Sequence, residues 1–179
     1  MLFVLQEFID VIVMTLGLGF IFMDFFTVPR VARFDLRAFG LACLVIAPAV
    51  ILHELGHKFV AIGFGADATF HAAYLFLLLG IILKLIRSPF IFFVPGYVAI
   101  TTALPFGPTA LVALAGPAVN GVLYLMSRLV LKQSTLSPQT RRLWIFARRI
   151  NGFLFIFNML PVPGFDGFTV FSSLFHLFG

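Results

Sequence analysis

The sequence predicts an all-α membrane protein, with about six transmembrane segments and a membrane-embedded β-hairpin or re-entrant element. Three observations predict it. First, 61% of the 179 residues are hydrophobic, 11% are charged and 25 are Phe, with a mean hydropathy of +1.12. A soluble domain is about one quarter charged, so this chain has too little polar surface to enclose a water-facing core. Second, the apolar residues fall in long runs, and about 20 such residues cross a bilayer. Third, the net charge of +5, from 12 Lys and Arg against 7 Asp and Glu, sits in short clusters between those runs, as membrane loops carry it. No stretch interleaves basic and aromatic residues on a hydrophilic background, so no nucleic-acid partner is expected.

Run one covers about Leu2 to Val28 and ends before Pro29 and a loop containing Arg30, Arg33, Asp35 and Arg37. Its opening, MLFVLQEF, lacks a basic n-region, so a retained helix is expected and not a cleaved signal. Run two extends from about Ala38 to Phe64, with Gly63 and Gly65 as its stop, and holds the single cysteine, Cys43, which reads as a small buried residue. Run three goes from about Phe70 to Ile86, bounded by Lys84 and Arg87. The stretch from Ser88 to Pro108 is apolar but carries Pro89, Pro95, Gly96, Pro105, Gly107 and Pro108. Two β-rich arms, FIFFV and YVAITTAL, flank Pro95-Gly96, which reads as a hairpin or re-entrant segment. Non-helical backbone persists at membrane depth only where protein or a water-filled cavity satisfies its hydrogen bonds, so this element should line something. Run four is placed at about Thr109 to Leu131, run five at Leu143 to Leu160, and run six, short for a span, at Phe168 to Phe178. Residues 1–179 therefore read as one integral-membrane domain, multi-pass and without a separate soluble domain.

Run two contains His53-Glu54-Leu55-Gly56-His57, an HExxH sequence. On a helix, positions i and i+4 share a face, so both imidazoles can bind one metal ion while Glu54, about 100° round, can reach a water on it. Ionisable groups inside an apolar span cost several kcal/mol unless ligated or paired, so the setting strengthens a motif that is weak in a polar helix. Zinc suits histidine nitrogen and carboxylate oxygen, and a catalytic zinc takes three protein ligands. The third must come from elsewhere. Glu7, Asp10, Asp24 and Asp35 read as interfacial or loop charges, and His71 and His176 are lone histidines without ligand spacing. Asp166 lies in NMLPVPGFDG, residues 158–167, where two prolines and two glycines hold irregular backbone at the end of run five and present one carboxylate. No Glu follows Glu54, and Asp166 is the choice for the third ligand.

Three motifs together resemble the site-2 protease family of intramembrane metalloproteases: HELGH at 53–57, AGPAVN at 115–120, which is similar to its GPxxN element, and NMLPVPGFDG at 158–167, which is similar to its NxxPxPxxDG. They occur in the family order and are jointly specific. The resemblance implies that His53, His57 and Asp166 bind one Zn2+ per chain, that Glu54 is the catalytic acid/base, and that the substrate is a membrane-spanning protein segment. It also implies that Pro95-Gly96 tips a hairpin that adds a strand to unwound substrate, with Gly96 and Tyr97 as contacts. Phe168 stands where many relatives have a second glycine, and no PDZ or CBS domain is present.

The expected activity is therefore zinc-dependent endoproteolysis within or near transmembrane segments. Asn120 and Asn158 are candidates to stabilise the oxyanion, with helix-to-helix hydrogen bonding as their ordinary role. A non-proteolytic metal-binding membrane protein, such as a transporter or an inactive helix-binding relative, is the alternative; a transporter needs ligands but has no use for the carboxylate of Glu54. The basic clusters at 30–37 and 128–149 should face the cytoplasm, which would put the site nearer the opposite face, whereas the resemblance implies a site nearer the cytoplasm.

Overall fold

The computed structural model describes residues 2–27, 34–88 and 96–179. Among them are six α-helices, α1 (Leu5–Phe22), α2 (Leu36–Gly63), α3 (Tyr74–Leu85), α4 (Phe106–Val130), α5 (Pro138–Asn158) and α6 (Asp166–Phe178). A 3-10 turn at Met23–Phe25 follows α1, and two strands, β1 (Ala68–Ala72) and β2 (Gly96–Ile100), pair as a small antiparallel sheet. The chain divides into two compact units, one formed by residues up to Ile51 with Phe70–Tyr97, the other by Leu52–Thr69 with Val98–Gly179.

Three of the described helices, Leu5–Phe25 with its terminal turn, Leu36–Gly63 and Phe106–Val130, are long and apolar enough to cross a membrane. The 28 residues of α2 extend about 42 Å at 1.5 Å per residue, more than the roughly 30 Å of hydrocarbon. The 12 residues of α3 reach only about 18 Å, because the first part of run three folds as β1 and the helix starts after Ala73. The alternation of buried Ala68, Phe70 and Ala72 with less buried Thr69 and His71 is the period of a strand. β2 takes this strand as its partner. The expected partner, FIFFV at 90–94, and the proposed tip at Pro95 lie outside the described residues.

In the first unit α1 packs on α3. The polarity is inverted relative to a soluble helix: Asp10 is 0% exposed while Leu5 on the same helix is 78% exposed. Apolar side chains outside and carboxylates inside suit a helix whose surroundings are lipid. Glu7 and Asp10, read from the sequence as interfacial charges, are buried against β1 and α3. Glu7 accepts from the Val4 amide at 2.9 Å and from the Phe70 amide of β1 at 2.7 Å, so one carboxylate satisfies a helix start and a strand. Asp10 accepts from the Tyr74 hydroxyl and from Gln6 at 3.0 Å, and its other oxygen lies 3.6 Å from His71 Nδ1. At the far end of α1, Lys84 of α3 bonds the Phe20 carbonyl and pairs with Asp24 at 3.1 Å.

The second unit holds the end of α2 together with α4, α5 and α6. Helix α4 packs against both α5 and α6. Ser137 caps α5 by accepting from the Thr140 amide at 3.2 Å, and Pro138 occupies the first turn, where its missing N–H costs nothing. The α5 helix therefore begins five residues before the apolar run, and Arg141 and Arg142 lie on it instead of in a loop, on the same helix as Arg148 and Arg149. Arg141 donates to the Leu131 and Gln133 carbonyls at 3.2 and 2.9 Å, which ties the end of α4 to the start of α5. Between α5 and α6, Pro161, Pro163 and Gly164 keep the chain irregular, with Gly164 at φ +97°, a conformation that favours glycine. The reversal is tight at Gly167, where a Cβ would come within 2.8 Å of the Leu160 carbonyl oxygen.

Candidate metal centre

The centre is assembled entirely within the second unit. His53 and His57 lie one turn apart on α2, both buried, with ring centroids 4.7 Å apart and planes at 83°. Their Nε2 atoms are 3.1 Å from each other. Asp166, the first residue of α6, brings Oδ2 to 3.1 Å from His53 Nε2 and 3.4 Å from His57 Nε2. Among the described residues this is the group of three such side chains whose ligand atoms converge within 4.8 Å.

The bonds behind the rings decide what the cluster can hold. His57 Nδ1 lies 2.7 Å from the Val112 carbonyl oxygen, and a carbonyl only accepts, so Nδ1 carries a proton and, in the neutral ring, Nε2 presents a lone pair. His53 Nδ1 lies 2.7 Å from Asn120 Oδ1, which fixes the same tautomer. Two imidazole lone pairs and a carboxylate oxygen then face one another at 3.1 to 3.4 Å. Three acceptors at that distance repel unless a cation sits among them, and hydrogen bonding at the remote imidazole nitrogen is the usual support of a ligating histidine. The donor set of two nitrogens and one oxygen fits zinc with a fourth position left open.

Two glycines make room for this. A Cβ on Gly56, inside HELGH, would stand 3.0 Å from the Ala115 carbonyl oxygen and from Val119 Cγ2, so its absence lets α2 lie close against α4. A Cβ on Gly116 would strike the His57 ring and stand 2.7 Å from His53 Nε2. The glycine of AGPAVN thus holds open the space beside the two ligand nitrogens, and Asn120 of the same motif, 0% exposed, reaches His53 from one turn farther along α4.

The structure thereby brings together His53, His57 and Asp166, places half-buried Glu54 on the same helix between them, and adds Asn120 behind His53. Asn158 ends α5 half-buried and makes no side-chain hydrogen bond among the described residues. Gly96 and Tyr97 open β2 in the first unit, with Tyr97 half-exposed and its ring 5.5 Å from that of His71. His176 stacks on Phe106 at 4.9 Å. Sequence reasoning passed over Asn151 on α5, whose amide oxygen receives a hydrogen bond from Asn120 Nδ2 at 2.9 Å. Its one available signal was a lone amide in the apolar half of run five, a position where polar groups are costly.

Over 168 residues the chain is 36% identical to a protein of Methanocaldococcus jannaschii that carries the name putative zinc metalloprotease; the alignment covers 90% of this chain and 81% of that one. No protein-family model matches the chain, and no solved structure does.

Proposed function

Because the chain belongs to the zinc metalloprotease family of this archaeal relative, we propose that it is a multi-pass integral-membrane endopeptidase, binding one zinc ion and hydrolysing peptide bonds within or near transmembrane segments of other proteins. The observation that carries this reading is the position of HELGH: it lies on α2, one of the helices long and apolar enough to span, and a carboxylate from α6 converges on its two histidines. The resemblance to site-2 proteases points to the same substrate class. In this reading α3, α5 and α6 supply the remaining membrane segments.

His53, His57 and Asp166 would hold the zinc, which when bound acidifies a water molecule and polarises the scissile carbonyl. Glu54 accepts the proton of the attacking water and returns it to the leaving amine, the work of a general base that becomes a general acid. Asn120 is engaged with His53 through its oxygen and with Asn151 through its nitrogen, an arrangement that favours an orienting role over oxyanion stabilisation. A helical substrate hides its amides in its own hydrogen bonds and must unwind before attack. β2 offers strand-type main-chain groups that would compensate an unwound segment, as in strand addition to a sheet edge.

The reading is tested on detergent-purified full-length protein by metal analysis and by cleavage of a transmembrane test substrate. One zinc per chain, and cleavage that a chelator removes and added zinc restores, is the expected result. Zinc uptake without cleavage across a broad panel of membrane substrates would favour a binding protein instead.

The strand has its own prediction. A side chain at Gly96 would meet Met14 Sδ at 2.9 Å and the His71 carbonyl oxygen at 3.0 Å, so Gly96→Val should push β2 away from β1. Zinc content should stay at the wild-type level while cleavage of the membrane substrate falls by about tenfold or more. Unchanged cleavage would remove β2 from substrate binding.

A further inference from the structure

We propose that Asn151 is a positioning residue that sets the ring tautomer of His53 through Asn120. The proposal rests on the reading of His53 as a metal ligand. On α5 the Asn151 side chain lies 2.8 Å from the Ala147 carbonyl oxygen, four residues back. A backbone carbonyl has no proton to give, so the Asn151 atom facing it is the amide nitrogen. The amide oxygen of Asn151 is therefore the end that faces Asn120, 2.9 Å away. An oxygen there requires a donor opposite, which turns the Asn120 nitrogen toward α5 and its oxygen toward α2. That oxygen, 2.7 Å from His53 Nδ1, requires a proton on Nδ1 and so leaves the Nε2 lone pair for the metal.

Direction thus passes from a backbone carbonyl through two amides to a ligand atom, across α5, α4 and α2. The direction matters because an Asn side chain turned by 180° exchanges donor for acceptor with little change in shape. Asn151 and Asn120 are 4% and 0% exposed, so bulk water does not compete for these groups. His57 needs no such relay, because its own Nδ1 meets a backbone carbonyl directly. The two ligands of one motif thereby have their tautomers set in different ways, and only His53 depends on side chains.

The test uses the detergent-purified full chain and measures metal, not turnover. Zinc affinity is read by chelator competition, and the ligand field by the visible spectrum of the cobalt-substituted protein. Asn151→Leu, close in volume but without polar atoms, should bind zinc about 10-fold to 100-fold more weakly and alter the cobalt band, as loss of supporting hydrogen bonds does elsewhere. Asn151→Asp in its protonated form can donate to Ala147 and accept from Asn120, and should recover most of the affinity. In an Asn120→Asp background the group facing His53 is an acceptor in either orientation, so adding Asn151→Leu should cost little more.

Wild-type affinity and an unchanged cobalt band in folded Asn151→Leu would overturn the proposal, as would equal losses in the Leu and Asp variants, which would mean packing alone. A wild type that takes up neither ion would overturn the metal centre itself and this proposal with it. Nitrogen-15 NMR of the histidine rings in metal-stripped wild type at alkaline pH, assigned with His53→Gln, needs no Asn151 variant. It should show His53 protonated at Nδ1, and protonation at Nε2 would overturn the proposal.

Discussion

Glu54→Gln should leave one zinc bound per chain and lower peptide hydrolysis by on the order of 10²–10⁴-fold, the usual contribution of a positioned general base. Each factor of ten is about 1.4 kcal/mol of barrier, so the expected loss is roughly 3–5 kcal/mol. The substitution preserves size and leaves His53, His57 and Asp166 in place, because these converge from α2 and α6 without using the Glu54 side chain. What it removes is the ability to take a proton from water and deliver it to the leaving nitrogen. Zinc content by metal analysis and cleavage of a transmembrane substrate, measured on the same preparation, separate the two properties. The pairing also separates protease from metal carrier. A carrier should move or buffer zinc equally well in both forms, since its function needs only the ligands. Equal cleavage by wild type and variant would instead assign the observed hydrolysis to a contaminant or to a different base.

The residues that converge in the candidate metal centre were readable from the sequence, and the groups behind them were less so. HELGH declares itself through helical geometry, since i and i+4 must share a face. Asp166 was reachable because acidic residues are scarce in an apolar chain and this one sits in a Pro- and Gly-rich break. The convergence of α6 on α2 is a tertiary fact, yet chemistry required some carboxylate or histidine to arrive. Nothing required Val112 in particular, because a backbone carbonyl behind His57 has no sequence signature. Asn151 was hidden for a related reason: its effect passes through Asn120, and relays of that kind exist only once three helices are packed.

The fold shows the same division. Helices α1, α2 and α4 announce themselves by length and apolarity. The sequence from Phe70 to Ile86 reads as one run, but it contains a strand and a helix. Hydropathy averages over the change from period 2 at Ala68, Phe70 and Ala72 to helical period after Tyr74. Glu7 and Asp10 were read only as charges near the start of run one, whereas their bonds to Phe70 and Tyr74 give them a structural role. A carboxylate that accepts a strand amide is part of how that strand is held against α1, which a charge count cannot reveal.

Alanine at two glycines of α4 should have unequal effects. At Gly107, in the first turn, an added methyl meets nothing within 4 Å beyond its chain neighbours, and the usual gain of about 0.5–1 kcal/mol from Gly→Ala in a helix is opposed by Pro108, which disfavours a helical residue with a Cβ just before it. Gly107→Ala should therefore bind zinc like wild type, with little change in thermal stability. At Gly116 the same methyl would strike the His57 ring and lie 2.7 Å from His53 Nε2. Relief by ring movement is not free. His57 is held by its 2.7 Å bond to Val112 and His53 by its 2.7 Å bond to Asn120, so any displacement breaks the bonds that orient the ligands. Relief by separating α2 from α4 is opposed by their close approach at Gly56, 3.0 Å from the Ala115 carbonyl as measured from its ideal Cβ. Gly116→Ala should thus lose zinc affinity by about 100-fold or more, the upper end of what loss of ligand support costs, with cleavage falling in parallel. Chelator competition on the two variants, side by side with wild type, gives the comparison. Wild-type affinity in Gly116→Ala would mean that the ligands reach the metal from a direction other than the one these bonds define. Equal loss in both variants would mean that α4 tolerates no added methyl anywhere, which the open space at Gly107 contradicts.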